Sequence, residues 1–73
     1  MEHELDCTGL LCPLPVLKAR KRMEGLNSGE TLKLIATDPA SVIDVPHFCN
    51  EQGHALLSHE TGEGRHIFRI RRK

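Results

Sequence analysis

Three cysteines, Cys7, Cys12 and Cys49, are the residues of this 73-residue chain best suited to covalent sulfur chemistry. Cys12 differs from the other two because it begins the run Cys12-Pro13-Leu14-Pro15. Proline is favoured at the first helical position, so the run predicts that Cys12 is the capping residue of a helix. Ser, Thr, Asp or Asn usually occupies that place. A cysteine there therefore indicates a chemical role for its thiol.

The predicted position would favour the thiolate form of Cys12. The first turn of a helix has unpaired N–H groups and a positive dipole end, and both can lower the pKa of a cysteine thiol. Pro13 and Pro15 have no N–H group, which leaves Leu14 as the chief early donor. We therefore expect a modest lowering of the pKa, with the two prolines mainly holding the thiol outward. Such a thiol can accept a sulfur atom and also release it.

The other two cysteines are predicted to be structural. Cys7 shares one face of a predicted strand with Leu5, and Cys49 lies on the apolar side of a predicted helix. Unpaired cysteines are often buried as small apolar residues. A resolving role for Cys7 stays open, because only four residues separate it from Cys12. An odd number of cysteines argues against a disulfide scaffold.

The elements that must position these residues follow the order β-α-β-α-β-β. Apolar residues alternate in the predicted strands and recur at helical spacing in the predicted helices. Pro13 is expected to start the first helix, and Asp38-Pro39 the second, which Pro46 should kink or split. Gly53 is expected to end that helix and Thr61-Gly62-Glu63-Gly64 to form a hairpin turn. The predicted strands cover 3–8, 30–37, 54–60 and 65–72, and the predicted helices 13–26 and 39–52.

This order fits an α/β (α+β) two-layer sandwich, with a four-stranded mixed sheet and both helices packed on one face. The length allows one domain, which would span residues 1–73. Leu32, Leu34 and Ala36 are expected to face the helices. The opposite face of the sheet would carry Lys33, Arg69 and Arg71.

Charge and composition restrict the function classes. The ten basic and ten acidic residues cancel, but nine of the basic residues fall into segments 18–22 and 65–73. A neutral chain with local basic surfaces is suited to docking acidic partners, although these residues could simply be solvated. The absence of Trp and Tyr counts against a nucleic-acid-binding or regulatory module. Candidate docking residues are Leu11, Lys18, Arg22, Arg69 and Arg71.

The sequence also bears on metals, membranes and location. It has no Cys-x-x-Cys pair, so the cysteine spacing counts against a metal or thiol-redox protein, which stays an alternative, and we expect no metal site. We find no apolar run long enough to span a membrane. The opening residues, Met-Glu-His-Glu, do not resemble a signal peptide, so we expect a cytoplasmic protein.

Several segments together resemble the TusA/SirA-like sulfur-carrier family. The likeness covers nearly the whole chain and is most specific at Cys12-Pro13-Leu14-Pro15 near the amino terminus, combined with Asp38-Pro39 at the second helix. The remaining matching segments are Leu5-Asp6, Gly9-Leu10, Gly29-Glu30-Thr31-Leu32, Ala36-Thr37, Asp44-Val45-Pro46-His47-Phe48-Cys49 and Gly53-His54-Ala55-Leu56.

The resemblance implies a two-layer sandwich and a persulfide on Cys12, with no other cofactor. A cysteine desulfurase or a rhodanese would donate the sulfur, and a downstream relay protein would accept it. Family relays end in transfer-RNA 2-thiouridine, in dissimilatory sulfur oxidation or in molybdenum-cofactor synthesis. The segment from Asp44 to Cys49 is similar to members of the transfer-RNA thiolation branch. The apolar Leu14 between the two prolines is instead similar to members from sulfur oxidisers. We expect a monomeric carrier rather than a stand-alone enzyme, without direct nucleic-acid binding.

Overall fold

A computed structural model describes residues 2–73 of the chain. It contains four strands and two helices in the predicted order β-α-β-α-β-β. Both helices are shorter than predicted, and each begins later than its proline signal indicates. The elements are β1 (Glu2–Cys7), α1 (Leu14–Glu24), β2 (Thr31–Ala36), α2 (Ser41–Gln52), β3 (Ala55–Gly62) and β4 (Arg65–Arg71).

The four strands form one mixed sheet in the order β1-β2-β4-β3, as the predicted fold class requires. Strands β1 and β2 are parallel, so the segments that follow them leave from the same edge of the sheet. Strand β4 is antiparallel to both β2 and β3. Helix α1 packs against β1 and β2, and α2 packs against β3 and β4. The β1–α1 and β2–α2 connections are therefore neighbours.

The core lies between the sheet and the two helices. Leu32, Leu34 and Ala36 are fully buried on β2, which confirms the predicted inward face of that strand. Full burial of a leucine side chain contributes about 1.5–3 kcal/mol. The other core residues are Cys7, Ala19, Met23, Leu26, Val45, Phe48, Cys49, Phe68 and Ile70.

The prediction that Pro13 opens α1 as its first helical residue is wrong. Pro13 is the N-cap, Leu14 is the first helical residue, and Pro15 is the second. The N–H of Leu17 donates the first helical bond to the carbonyl of Pro13, at 3.1 Å. The N–H of Leu14 donates instead to the carbonyl of Leu11, at 2.9 Å, and closes a separate turn. Cys12 therefore lies one residue before the cap and is not the capping residue.

Helix α2 also begins later than Asp38-Pro39 predicts. Its N-cap is Ala40, whose N–H donates to Oδ1 of Asp38 at 3.1 Å. The N–H of Ser41 donates to the carbonyl of Asp38 at 3.0 Å, so Asp38 closes a turn that precedes the helix. Pro46 does not split α2, which continues to Gln52.

Glycines occupy the turns where the backbone enters the left-handed region. Gly53, with a φ of 78°, ends α2 as predicted. The hairpin between β3 and β4 is also confirmed, but its turn is shorter than predicted: Thr61 and Gly62 belong to β3, and only Glu63 and Gly64, with φ of 53° and 74°, form the loop. Two successive positive φ angles define a type I′ turn, which matches the twist of the paired strands.

Candidate functional site

The three cysteines have very different exposures. Cys12 is exposed in the β1–α1 connection, whereas Cys7 is 0 % exposed and Cys49 is 2 % exposed. All three are free thiols. Burial raises the pKa of the Cys7 thiol, and it raises the pKa of the Cys49 thiol to about 11. The predicted core positions of both residues are confirmed, and only Cys12 presents its thiol at the surface.

Two hydrogen bonds attach the loop that carries Cys12 to the neighbouring β2–α2 connection. The N–H of Cys12 donates to Oδ2 of Asp38 at 2.6 Å. The N–H of Gly9 donates to Oγ1 of Thr37 at 2.9 Å. Asp38 therefore joins the two connections, since its other carboxylate oxygen accepts the N–H of Ala40.

The Cys12 thiol donates a hydrogen bond to a second carboxylate, at a distance of 2.8 Å between Sγ and Oδ2 of Asp44. Asp44 lies in the first turn of α2. This hydrogen bond is the main cause of a raised pKa for Cys12, and the charges of Asp44 and Asp38 add to it. The expected modest lowering of the pKa is therefore wrong. A carboxylate in direct contact opposes a second negative charge on the sulfur.

A groove of about 220 Å³ opens beside Cys12, between the two helices. Its apolar side chains come from both helices, with Val16 and Leu17 on α1 and Phe48 on α2. Its charged or titratable side chains are Arg20, Asp44, His47 and Glu51. Neither this groove nor the contact with Asp44 was predicted from the sequence. The available signal for the contact is the charged residue at the start of the family-like segment Asp44–Cys49.

Apolar side chains lie exposed on both sides of Cys12 in the sequence. Leu11 is 69 % exposed and Leu14 is 44 % exposed, so both are accessible to a partner protein. Leu10 packs partly against the core, and Pro15, the second residue of α1, is buried. Pro13 lines the groove beside Cys12.

The candidate basic residues are not equally available. Lys18 and Arg22 are exposed on α1, and Arg71 is exposed on β4. Arg69 instead forms ion pairs with Glu2, at 3.2 Å, and with Glu60, at 2.7 Å. These carboxylates hold the guanidinium of Arg69 against the outer face of the sheet, and they raise its pKa further. The basic residues of α1 are consequently the more accessible group.

The described part of the chain has no arrangement typical of a metal site or of a membrane-spanning helix. Across residues 2–73, no group of three or more His, Cys, Asp or Glu side chains is arranged to hold a metal ion. Neither α1 nor α2, the two helices of this range, has the length and apolar character of a membrane span.

Comparison with known proteins identifies the family of the chain. The family model described as sulfurtransferase TusA matches residues 3–72. The chain belongs to this TusA family. A sulfur carrier protein TusA of Pseudomonas syringae pv. syringae is 41 % identical over all of this chain and 87 % of its own length. A sulfur carrier protein TusA of Pseudomonas putida is 45 % identical over 94 % of this chain and 86 % of its own length.

Membership of the TusA family gives the exposed thiol a chemical context. These relatives are named as carriers of sulfur, and such a protein needs a group that can hold a sulfur atom reversibly. Cysteine thiols can do so through disulfide-type exchange, in which a thiolate attacks a bonded sulfur atom. Such an exchange needs a thiol that another protein can reach. Among the three cysteines, Cys12 is the exposed one.

Proposed function

We propose that Cys12 carries sulfur as a persulfide, accepts it from a donor protein and passes it to the next protein of a relay. The single observation that carries this proposal is the exposure of Cys12 in a TusA-family chain whose other two thiols are buried. A thiol that must meet the persulfide of another protein has to be at the surface. Cys7, with an exposed fraction of 0 %, is poorly placed for a second thiol role.

The transfer conserves atoms and electrons without an added oxidant. The sulfur of Cys12, as a thiolate, attacks the outer sulfur of the donor persulfide. A bond forms between Sγ and that sulfur, while the sulfur–sulfur bond of the donor breaks. The donor cysteine leaves as a thiolate and takes up the proton that Cys12 has lost. The same reaction then transfers the outer sulfur from Cys12 to an acceptor thiolate.

Partner proteins would dock around Cys12 on an apolar surface bordered by positive charge. The exposed side chains of Leu11 and Leu14 would lose water on docking, which favours association. Lys18 and Arg22 would attract an acidic partner and orient it during encounter. Arg71 would contribute from the sheet, and Arg69 would do so only after leaving its ion pairs with Glu2 and Glu60.

The donor in this proposal is a cysteine desulfurase or a rhodanese, and the acceptor is a downstream relay protein. The family resemblance suggests three destinations for the sulfur: transfer-RNA 2-thiouridine, dissimilatory sulfur oxidation and molybdenum-cofactor synthesis. The protein would work in the cytoplasm as a monomeric single-domain carrier, with no resident cofactor. Its partners, rather than the carrier, would supply the driving force.

Intact-mass measurement of sulfur loading tests the proposal. The purified protein is incubated with a cysteine desulfurase and cysteine, and in parallel with a rhodanese and thiosulfate. With at least one donor, we expect the wild-type protein to gain one sulfur atom that dithiothreitol removes. No gain with either donor would contradict the proposal.

Two matched variants identify the thiol that carries the sulfur. Cys12→Ser should abolish the mass gain, because the hydroxyl that replaces the thiol cannot form a persulfide. Cys7→Ser should load like the wild-type protein. Loading that survives Cys12→Ser, in a protein with an unchanged circular dichroism spectrum, would contradict the assignment to Cys12.

A further inference from the structure

The contact between Cys12 and Asp44 has consequences for the regulation of the thiol. The proton of a thiol can bridge Sγ and a carboxylate oxygen, which are 2.8 Å apart here. A thiolate has no such proton and would place two negative charges at this distance. Asp44 also lies in the first turn of α2, where the helix dipole favours a carboxylate. The arrangement is therefore complementary to the thiol form of Cys12.

The other charged groups around this contact do not neutralise Asp44. Asp38, from the β2–α2 connection, contacts the N–H of Cys12 and adds a second negative charge. Arg20 of α1 lines the same groove without forming an ion pair within residues 2–73. His47 of α2 pairs with Glu51 at 3.5 Å. Within that range Asp44 likewise has no ion-pair partner, so its carboxylate can receive a cation from outside.

We propose that Asp44 is a positioning residue that gates the reactivity of Cys12, holding it as a thiol until a cationic group of a docking partner pairs with the carboxylate. The proposal rests on the proposed function, since it describes regulation of the same thiol. Once the cation pairs with Asp44, the S–H group loses its acceptor and the local negative charge falls. The thiol proton then moves to the departing thiolate of the donor, so Asp44 ends the transfer unchanged.

Such a gate would protect the carrier between encounters. A thiol is much less nucleophilic than a thiolate, so the free protein would react slowly with small disulfides and oxidants. A partner that presents Lys or Arg beside its persulfide would restore the thiolate only in the complex. The specificity of transfer would then depend on charge complementarity as well as on apolar contact.

The pH dependence of Cys12 alkylation in an Asp44→Asn variant tests the gate. Asparagine keeps the size of the side chain and an oxygen acceptor but removes its charge. We expect the midpoint of the iodoacetamide rate profile to move to lower pH, with a rate at neutral pH at least about threefold above that of the wild-type protein. An unchanged or slower rate would overturn the proposal. The matched control is Glu51→Gln, in the same groove, which should leave the profile unchanged.

Charged thiol reagents give a second measurement that also uses the wild-type protein. The rate of Cys12 modification is measured with a cationic and with an anionic methanethiosulfonate. Each rate is divided by the rate of the same reagent with free cysteine. We expect the wild-type protein to favour the cationic reagent and Asp44→Asn to reduce this preference at least about threefold. Equal preferences in the two proteins would overturn the gate.

Neither measurement involves a sulfur donor, so the outcome is separate from the proposed carrier function. A carrier that loads sulfur normally but shows no effect of Asp44→Asn would disprove the gate alone. A protein that never loads sulfur but shows both effects would retain the gate and lose the carrier function. If Asp44→Asn does not fold, the decisive result is the wild-type charge preference, and a preference for the anionic reagent would overturn the gate.

Discussion

Two influences act in opposite directions on the Cys12 thiol. The start of α1 offers the partial positive charge of a helix dipole, equivalent to roughly half an elementary charge. Asp44 offers a full negative charge in direct contact with Sγ, at 2.8 Å. The contact dominates, and the pKa of Cys12 is raised. Cys12 also lies outside the helix cap, one residue before Pro13, which weakens the opposing influence further.

The exposed cysteine, Cys12, could be predicted from the sequence, but the closest partner of its thiol could not. Cys12 was recognisable because the chain around it has an unusual local pattern of prolines. Asp44 is 32 residues away in the sequence, and no local pattern indicates that its carboxylate meets Sγ. The contact exists because β1 and β2 are parallel neighbours, so that the segments after them converge at one edge of the sheet. Sheet pairing must be known before such a contact can be predicted.

The exposure difference predicts that only one cysteine reacts in the folded protein. A limited pulse of iodoacetamide at neutral pH should add one alkyl group to the wild-type protein and none to Cys12→Ser. Unfolding the wild-type protein in guanidinium chloride should make all three thiols reactive, since burial no longer protects Cys7 and Cys49. Intact mass counts the adducts. Two adducts in the folded wild-type protein would mean that a buried thiol opens to solvent.

At the scale of elements, periodic apolar residues were sufficient to predict the order of strands and helices. The predicted starts of both helices were wrong because a turn precedes each helix: the N–H of Leu14 donates to the carbonyl of Leu11, and that of Ser41 to the carbonyl of Asp38. Asp38 accepts the N–H of Cys12 with one carboxylate oxygen and that of Ala40 with the other. Asp38, which the sequence suggests as a helix cap, therefore holds the loop that carries Cys12. The groove between α1 and α2 was missed because it depends on how two helices pack.

The hairpin between β3 and β4 allows a test of turn chemistry. Glu63 has a φ of 53°, a region in which asparagine is much better tolerated than glutamate. Glu63→Asn should therefore raise the free energy of unfolding by about 0.5 kcal/mol, as other turn optimisations do. Gly64→Ala should lower it by about 1 kcal/mol, because alanine is disfavoured at a φ of 74°.

Urea unfolding monitored by circular dichroism measures both changes. Gly62→Ala is the matched control, since Gly62 is a neighbouring strand residue whose added Cβ would contact nothing within 4 Å. Its effect should be smaller than that of Gly64→Ala. Equal losses at the two glycines would show that the positive φ of Gly64 is not what limits the turn.

At the scale of the whole molecule, a zero net charge conceals an uneven distribution. The outer face of the sheet is neutralised in part, because Arg69 pairs with Glu2 and Glu60 and Lys33 lies 3.7 Å from Glu4, whereas Arg71 is exposed. On α1, Arg20 lines the groove beside Cys12 together with Asp44, whereas Lys18 and Arg22 line a separate groove beside Leu5. The sequence alone shows where the basic residues cluster. Which carboxylates they pair with across the strands can be predicted only when the register of the sheet is known.

Acid should destabilise the fold partly through His54. Burial lowers the pKa of this imidazole, and the charges of Arg72 and Lys73 add to the effect. The unfolded chain then binds more protons than the folded one as pH falls below about 6.5, so the free energy of unfolding decreases with falling pH. His54→Gln should flatten this decrease between roughly pH 7 and pH 5, because glutamine does not titrate there. Urea unfolding across this range measures the slopes, and equal slopes in wild-type and His54→Gln proteins would contradict the prediction.

Location of the transferred sulfur in the wild-type protein tests the central claim most directly. The loaded carrier is trapped with an alkylating reagent, digested and analysed by tandem mass spectrometry. Fragment ions that break the chain between Cys7 and Cys12 distinguish the two thiols without any substitution. We predict that the extra sulfur lies on Cys12 and that Cys7 and Cys49 carry none. A persulfide on either buried cysteine, with Cys12 unmodified, would contradict the assignment of Cys12 as the carrier.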